Sequence, residues 1–258
     1  MEVHHHPHVE KKRFKEYFLE FLMIFLAVTL GFFAETLRER MEAHDREKEY
    51  LFSMLQDLRQ DSSNIETVMR QGTLILKGLD TLAGCMSAPI TPGNVDSVYA
   101  YEIKYRYDAP HVEFAERTLS QLKNNGGLRL IKNQTISDAL SEYDQGIRAC
   151  ASSNDYVTHY YQAMEESEKT LFDFGPTKPL WDTLLKTGSS KISISEMLNY
   201  IKGKTHMKTN DYNIYTRYID EIIYDQVALG AYLNGDLADQ LQRARSLISL
   251  IKKYYHFD

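Results

Sequence analysis

Hydrophobic positions are spread unevenly along the chain. From Tyr17 to Leu37 it reads YFLEFLMIFLAVTLGFFAETL, and the 14 residues Phe21 to Ala34 carry no charge. An α-helix rises 1.5 Å per residue, so a hydrocarbon core of about 30 Å takes about 20 residues. The uncharged run falls short of that, but the window from Tyr17 to Leu37 reaches it. Glu20 and Glu35 lie near the ends of that window, where a carboxylate reaches headgroups or water at low cost. Phe21, Leu22, Ile24, Phe25 and Leu26 go round most of the helix, which leaves no broad polar face for lying flat in an interface. The pattern predicts one transmembrane helix over 17–37. The competing reading is a buried core helix of a globular domain.

Beyond the span the period changes but stays helical. Leu51, Leu55, Leu58, Ile65, Met69, Leu76 and Leu79 recur every three or four residues, with Ser62 and Gly72 filling the series. This is the stripe of an amphipathic helix. No turn signal separates it from the span, so one helix is expected to leave the bilayer as a stalk and become the first bundle helix, over 38–83. A coiled coil is the alternative, but Gly72, Gly78 and an imperfect register favour packing against other helices of the same domain. Pro89, Pro92 and Gly93 then make a loop.

From Val95 to the end, at 258, the chain reads as further helices of one domain. A helix over Ser97–Tyr105 would be capped by Asp96, and a short one would run from Val112 to Lys123. The NNGG turn, Asn124 to Gly127, follows. A long helix capped by Asn133 or Thr135 would bury Ile136, Ala139, Leu140, Tyr143, Ile147 and Cys150 and run on to about Phe174. Leu180, Trp181, Leu184 and Leu185 form a short packing segment, and a short helix covers Ser195–Ile201. Asn210 or Asp211 caps a final helix with Tyr218, Ile222, Val227, Leu233, Leu237 and Ile251 on its inner face. Gly230 and Gly235 are expected to kink or split it. The fold class is all-α: an N-terminal transmembrane helix continuing into a helical bundle domain.

One face of the span differs from the rest. Glu20, Ile24, Ala27, Gly31 and Glu35 follow one another at about one helical turn. Ala27 and Gly31 form a small-x-x-x-small pair that lets a second helix approach closely. Self-association of the chain through this face is the expectation, with the lipid bilayer as the other partner.

Ahead of the span lies a tail, residues 1–16, with His4, His5, His6 and His8 as weak metal-ligand candidates and Lys11, Lys12, Arg13 and Lys15 against the membrane. Arg38, Arg40, Arg46 and Lys48 follow it. The N-terminal cluster is denser, so the positive-inside rule places the N-terminus in the cytoplasm and the domain on the far side. In a Gram-negative cell that is the periplasm. No small-x-small cleavage site follows the apolar run, which reads as an uncleaved anchor.

The segment from His4 to Glu35, HHHPHVEKKRFKEYFLEFLMIFLAVTLGFFAE, with REKEY at Arg46–Tyr50 and QLKNNGGLRLIKN at Gln121–Asn133, resembles a family of Bacteroidota membrane proteins. The resemblance implies native histidines, a bacterial origin, an inner-membrane anchor and no particular activity.

Charge narrows the remaining classes. The chain carries 30 basic and 36 acidic side chains, and the excess of acid lies beyond the first 40 residues. A mildly acidic body argues against a nucleic-acid surface. The two cysteines, Cys85 and Cys150, are too far apart for a metal-site spacing. They are either a disulfide, as an oxidising compartment permits, or two buried small hydrophobes. The 18 tyrosines read mostly as core, with hydroxyls at the rim. Glu165, Glu166 and Glu168, and Asp220 with Glu221, are carboxylate groups without a histidine at ligand spacing. HExxH, GxSxG and CxxC are absent. GKT at Gly203–Thr205 lacks the rest of a phosphate loop. The sequence therefore predicts no enzyme and no cofactor. It predicts a scaffold or interaction domain for an unknown envelope protein, or else a ligand-sensing input domain that signals through a membrane partner.

Overall fold

A computed structural model describes residues 14–106, 110–124, 126–188 and 191–257. The histidines at 4, 5, 6 and 8, and Lys11, Lys12 and Arg13, lie outside them. The chain divides into two compact units, Met1–Tyr50 and Leu51–Asp258.

Helix α1, Phe14–Ser87, belongs to both units and is unbroken. In the first unit it carries the apolar segment. An 18-residue window there has a mean hydropathy of 2.1, and none of it is buried. The reading of a globular core helix finds no burial to support it there, and among the described residues this is the one helix long and apolar enough to cross a membrane. Its hydroxyls are satisfied internally: Thr29 Oγ1 donates to the Phe25 carbonyl at 2.7 Å and Thr36 Oγ1 to that of Phe32 at 2.9 Å.

In the second unit the same helix is the spine of an all-α bundle. Its buried positions include Leu51, Met54, Leu58, Asp61, Ile65, Val68, Gly72, Ile75, Leu79, Leu82 and Met86, with Leu55, Asp57 and Gly78 buried beside them. The steps of the first set alternate three and four, a heptad seam facing the other helices. The expected series holds at Leu55, which is buried, and lies one residue to the side at 62, 69 and 76, which form the seam's half-buried edge. The seam runs on to Met86, and the helix with it, past the break expected at Gly84. Two glycines let neighbours sit against it. A Cβ at Gly72 would lie 2.5 Å from Leu233 Cδ1, and one at Gly78 2.2 Å from the Tyr105 ring.

Helix α2 is Val95–Tyr105, α3 Arg117–Asn124, α4 Gln134–Leu171 and α5 Lys178–Thr187. Helix α6 is Ile194–Ile201, α7 Tyr212–Ala231 and α8 Ala238–Tyr255. Helix α4 packs along α7 and α8, and α2 lies on α6. Two caps follow the sequence: Asn133 accepts from Ile136 N, and Asp211 accepts from Asn213 N. A third, where Ser193 with Glu196 closes a capping box, starts α6 just ahead of the expected Ser195.

Several expectations are corrected. Asp96 is not a cap. It lies in the first turn of α2, where its carboxylate accepts from Gly203 N at 2.7 Å and from the Thr205 hydroxyl. The helix expected from Val112 begins only at Arg117. Residues 110–116 form no helix, and α1 takes their polar groups: Asp61 accepts from Ala115 N at 2.7 Å, and Asn64 Nδ2 donates to the Glu113 carbonyl at 3.0 Å. Asp57 then accepts from Thr118 N at 3.2 Å, inside the first turn of α3. Helix α4 stops at Leu171, where Phe172 pairs with Met207 as an isolated antiparallel bridge. Gly230 and Gly235 do not split the last helix. A π-helical turn, Tyr232–Leu237, joins α7 to α8. Cys85 and Cys150 are free thiols, and Cys150 is buried.

Candidate functional site

Three features could carry function. The first is the apolar segment of α1. Ala27, Gly31, Glu20 and Glu35 all lie on it. Gly31 has nothing within 4 Å of where a Cβ would be. Glu35 is engaged along its own helix, accepting from Arg38 Nε at 3.1 Å, and Arg38 also bonds Glu42.

The second is a polar cluster inside the bundle. Glu102 and Arg106, one turn apart at the end of α2, are buried, and so are Glu168 on α4 and Tyr218 and Asp225 on α7. Tyr218 Oη donates to Glu102 Oε1 at 2.5 Å. The Arg106 guanidinium lies over the Tyr161 ring, 3.9 Å from its centroid, and donates through Nη2 to the Tyr161 carbonyl. Ser167 Oγ donates to Glu221 Oε1 at 3.1 Å, as does Arg217 Nε at 3.0 Å. Glu102 Oε2, Arg106 Nε and Nη1, and Asp225 Oδ1 are buried without a hydrogen-bond partner. Three carboxyl groups thus share one guanidinium in a low-dielectric interior, where an uncompensated charge is costly.

Protons relieve that imbalance. Burial, and then the Glu168 carboxyl, push Glu102 up to about 8 against the pull of Tyr218 and Arg106. Burial pushes Asp225 up to about 6, with Arg106 opposing it. The folded chain keeps protons that the unfolded chain has released above its ordinary 4.5 and 3.8. This contribution to stability is complete below those values and is lost as pH rises through about 6 and then about 8. The urea midpoint is expected to fall between pH 5 and pH 8, and Glu102→Gln is expected to flatten the upper part of that fall. A midpoint that rises across the window would contradict the assignment.

The third feature is a groove of 250 Å³ between α4 and the end of α7, lined by tyrosines 156, 160, 224 and 232, Val227 and Asp236 among others. Val227, expected on the inner face of its helix, is 66% exposed, and Tyr156 is 65% exposed. Of the described tyrosines, 99, 143, 218 and 232 are buried, and the rest are half-buried or exposed. A larger depression of 660 Å³ lies between residues 86–90 and α7, with Asn210, Thr216 and Asp220 among its polar walls.

Among the described residues, no group of three or more His, Cys, Asp or Glu side chains could hold a metal ion. Sequence reasoning passed over Glu102 and Arg106 and took Glu168 only as one of three carboxylates without a histidine at ligand spacing. The signal was present: Val95, Val98, Tyr99, Glu102 and Arg106 fall on one helical face, and so do Met164, Glu168 and Leu171. The chain matches no protein-family model, no curated protein and no solved structure.

Proposed function

We propose that this chain is a membrane-anchored, non-catalytic helical module of the bacterial cell envelope, whose domain from residue 51 onward binds a protein partner. One observation carries the reading: a fully exposed apolar stretch of mean hydropathy 2.1 runs without a break into the spine of a folded bundle. Water does not favour such a surface, and a bilayer does. The resemblance to Bacteroidota membrane proteins and the density of Lys11, Lys12, Arg13 and Lys15 support an inner-membrane protein with a cytoplasmic N-terminus and a periplasmic domain. Protease access in intact and outer-membrane-permeabilised cells, followed by mild extraction and identification of copurifying proteins, tests this. A domain cleaved only after permeabilisation, with a stable partner, supports it. A domain cleaved only after inner-membrane lysis reverses the orientation.

Self-association through Ala27 and Gly31 is part of the proposal. Gly31→Leu is expected to reduce crosslinked dimer in membranes several-fold, because a bulky side chain holds the helices apart. Unchanged dimer would remove this face from the account. The 660 Å³ depression favours a second reading, a ligand-sensing input domain, since apolar and polar groups converge there.

A further inference from the structure

The tyrosine groove has features that packing alone does not require. Tyr156 and Val227, 65% and 66% exposed, and Tyr224, 59% exposed, leave a large apolar surface in water on two neighbouring helices. The Tyr160 and Tyr224 rings lie near-parallel at 19°, centroids 6.1 Å apart, and His159 meets Tyr160 edge-on. Asp236 enters the lining from the π-helical turn, and its carbonyl accepts from the buried Cys150 thiol at 3.6 Å, which fixes the backbone there. The surroundings are acidic. Asp155, Glu165, Glu166, Asp220 and Glu221 lie on these helices, against Arg148, Lys169 and Arg217. All three cations are already engaged, Arg148 with Asp144, Lys169 with Glu165 at 3.1 Å and Arg217 with Glu221 at 3.0 Å. None of the groove's lining residues is basic.

Aromatic faces attract cations, and a guanidinium both stacks on rings and pairs with a carboxylate through its planar fork. The geometry points to this groove as the seat of an arginine side chain from the partner protein, stacked on Tyr156, Tyr160 and Tyr224 and paired with Asp236. The same chemistry already operates inside this chain, where Arg106 lies over Tyr161. The inference rests on the interaction-module reading and names the chemistry of the partner.

The test uses the full chain in detergent micelles, labelled with 3-fluorotyrosine, with its fluorine resonances assigned by single Tyr→Phe variants. The probe is a capped Gly-Gly-Arg-Gly-Gly peptide, compared with its citrulline counterpart, which keeps the shape and loses the charge. Saturable shifts at Tyr156, Tyr160 and Tyr224, about fivefold weaker for citrulline and similarly weakened by Asp236→Asn, are expected. No saturable shift, or equal response to the two peptides, overturns the assignment. In cells, Tyr224→p-benzoylphenylalanine is expected to crosslink the copurifying partner at a segment containing arginine. A partner crosslinked only from other positions would reject this groove and leave the interaction-module reading standing. The absence of any partner would reject that reading instead.

Discussion

Arg106→Leu is expected to destabilise the helical domain by about 3–5 kcal/mol at pH 8, the cost of removing one member of a buried charged group. Arg106 is 1% exposed, so water does not reach the site to compensate. Without it, Glu102 and Glu168 repel each other unopposed by the guanidinium, Asp225 loses the cation that opposes its burial, and the Tyr161 carbonyl loses its donor. Glu102 and Asp225 must then stay protonated for the chain to fold. The loss is therefore expected to be smaller at pH 5, where protons are plentiful, than at pH 8. Urea unfolding at both values, monitored by circular dichroism, reads it directly. Arg106→Lys keeps the charge but not the planar stack on Tyr161, and is expected to fall between parent and leucine variant. A leucine variant as stable as the parent at pH 8 would show that the cluster is not charged as described.

The second large effect concerns the apolar segment. Leu26→Arg together with Val28→Arg places two guanidinium groups near the middle of the window, each costing about 3 kcal/mol on insertion scales, about 6 kcal/mol together. The chain is expected to leave the carbonate-resistant membrane fraction almost completely. Leu19→Arg, close to the end of the window, is expected to stay, because a long side chain there reaches the interface. Equal loss for the central and terminal changes would favour a helix lying in the interface, whose whole length contributes. Retention of the double variant would mean that other residues hold the chain to the membrane.

Much of the architecture was legible because it rests on period alone. The continuous α1, the caps at Asn133 and Asp211, and the short helix beginning near Ser195 all follow from spacing and end chemistry. What escaped lay where a polar residue occupies a core position. Asp61 interrupts the apolar count on α1, so beyond it Met69 and Leu76 stand in for Val68 and Ile75 and the seam is read one residue to the side. The structure keeps Asp61 inside because Tyr143 donates to it at 2.7 Å and Ala115 N at the same distance. Glu102 and Arg106 were missed for the same reason, since composition treats charged residues as surface unless they are paired. The irregular strap over 110–116 was illegible for another reason: the side chains that hold its backbone, Asp61 and Asn64, are about fifty residues away in the chain. The exposure of Tyr156 and Val227 was hidden because helical spacing alone does not say which face another helix will cover.

The π-helical turn has a genetic consequence. Buried positions step from Tyr218 through Ile222, Asp225 and Leu229 to Leu233 and Leu237, and then through Gln240, Ala244, Leu247 and Ile251. Tyr232 is buried as well, and from Asp225 to Leu237 the chain uses one residue more than alternating fours and threes would. A π turn absorbs that surplus residue without breaking the helix. The inner faces of α7 and α8 therefore stay in phase although the extra residue stands between them. Deleting the codon for Asn234 or Gly235, both exposed, would return the turn to α geometry and keep the later side chains in phase, since the remaining residues make about three α-helical turns. Ala244 and Ile251 would then stay in the core. Loss of one residue there would weigh less than the same loss elsewhere in α7 or α8, where it rotates every later side chain by about 100°.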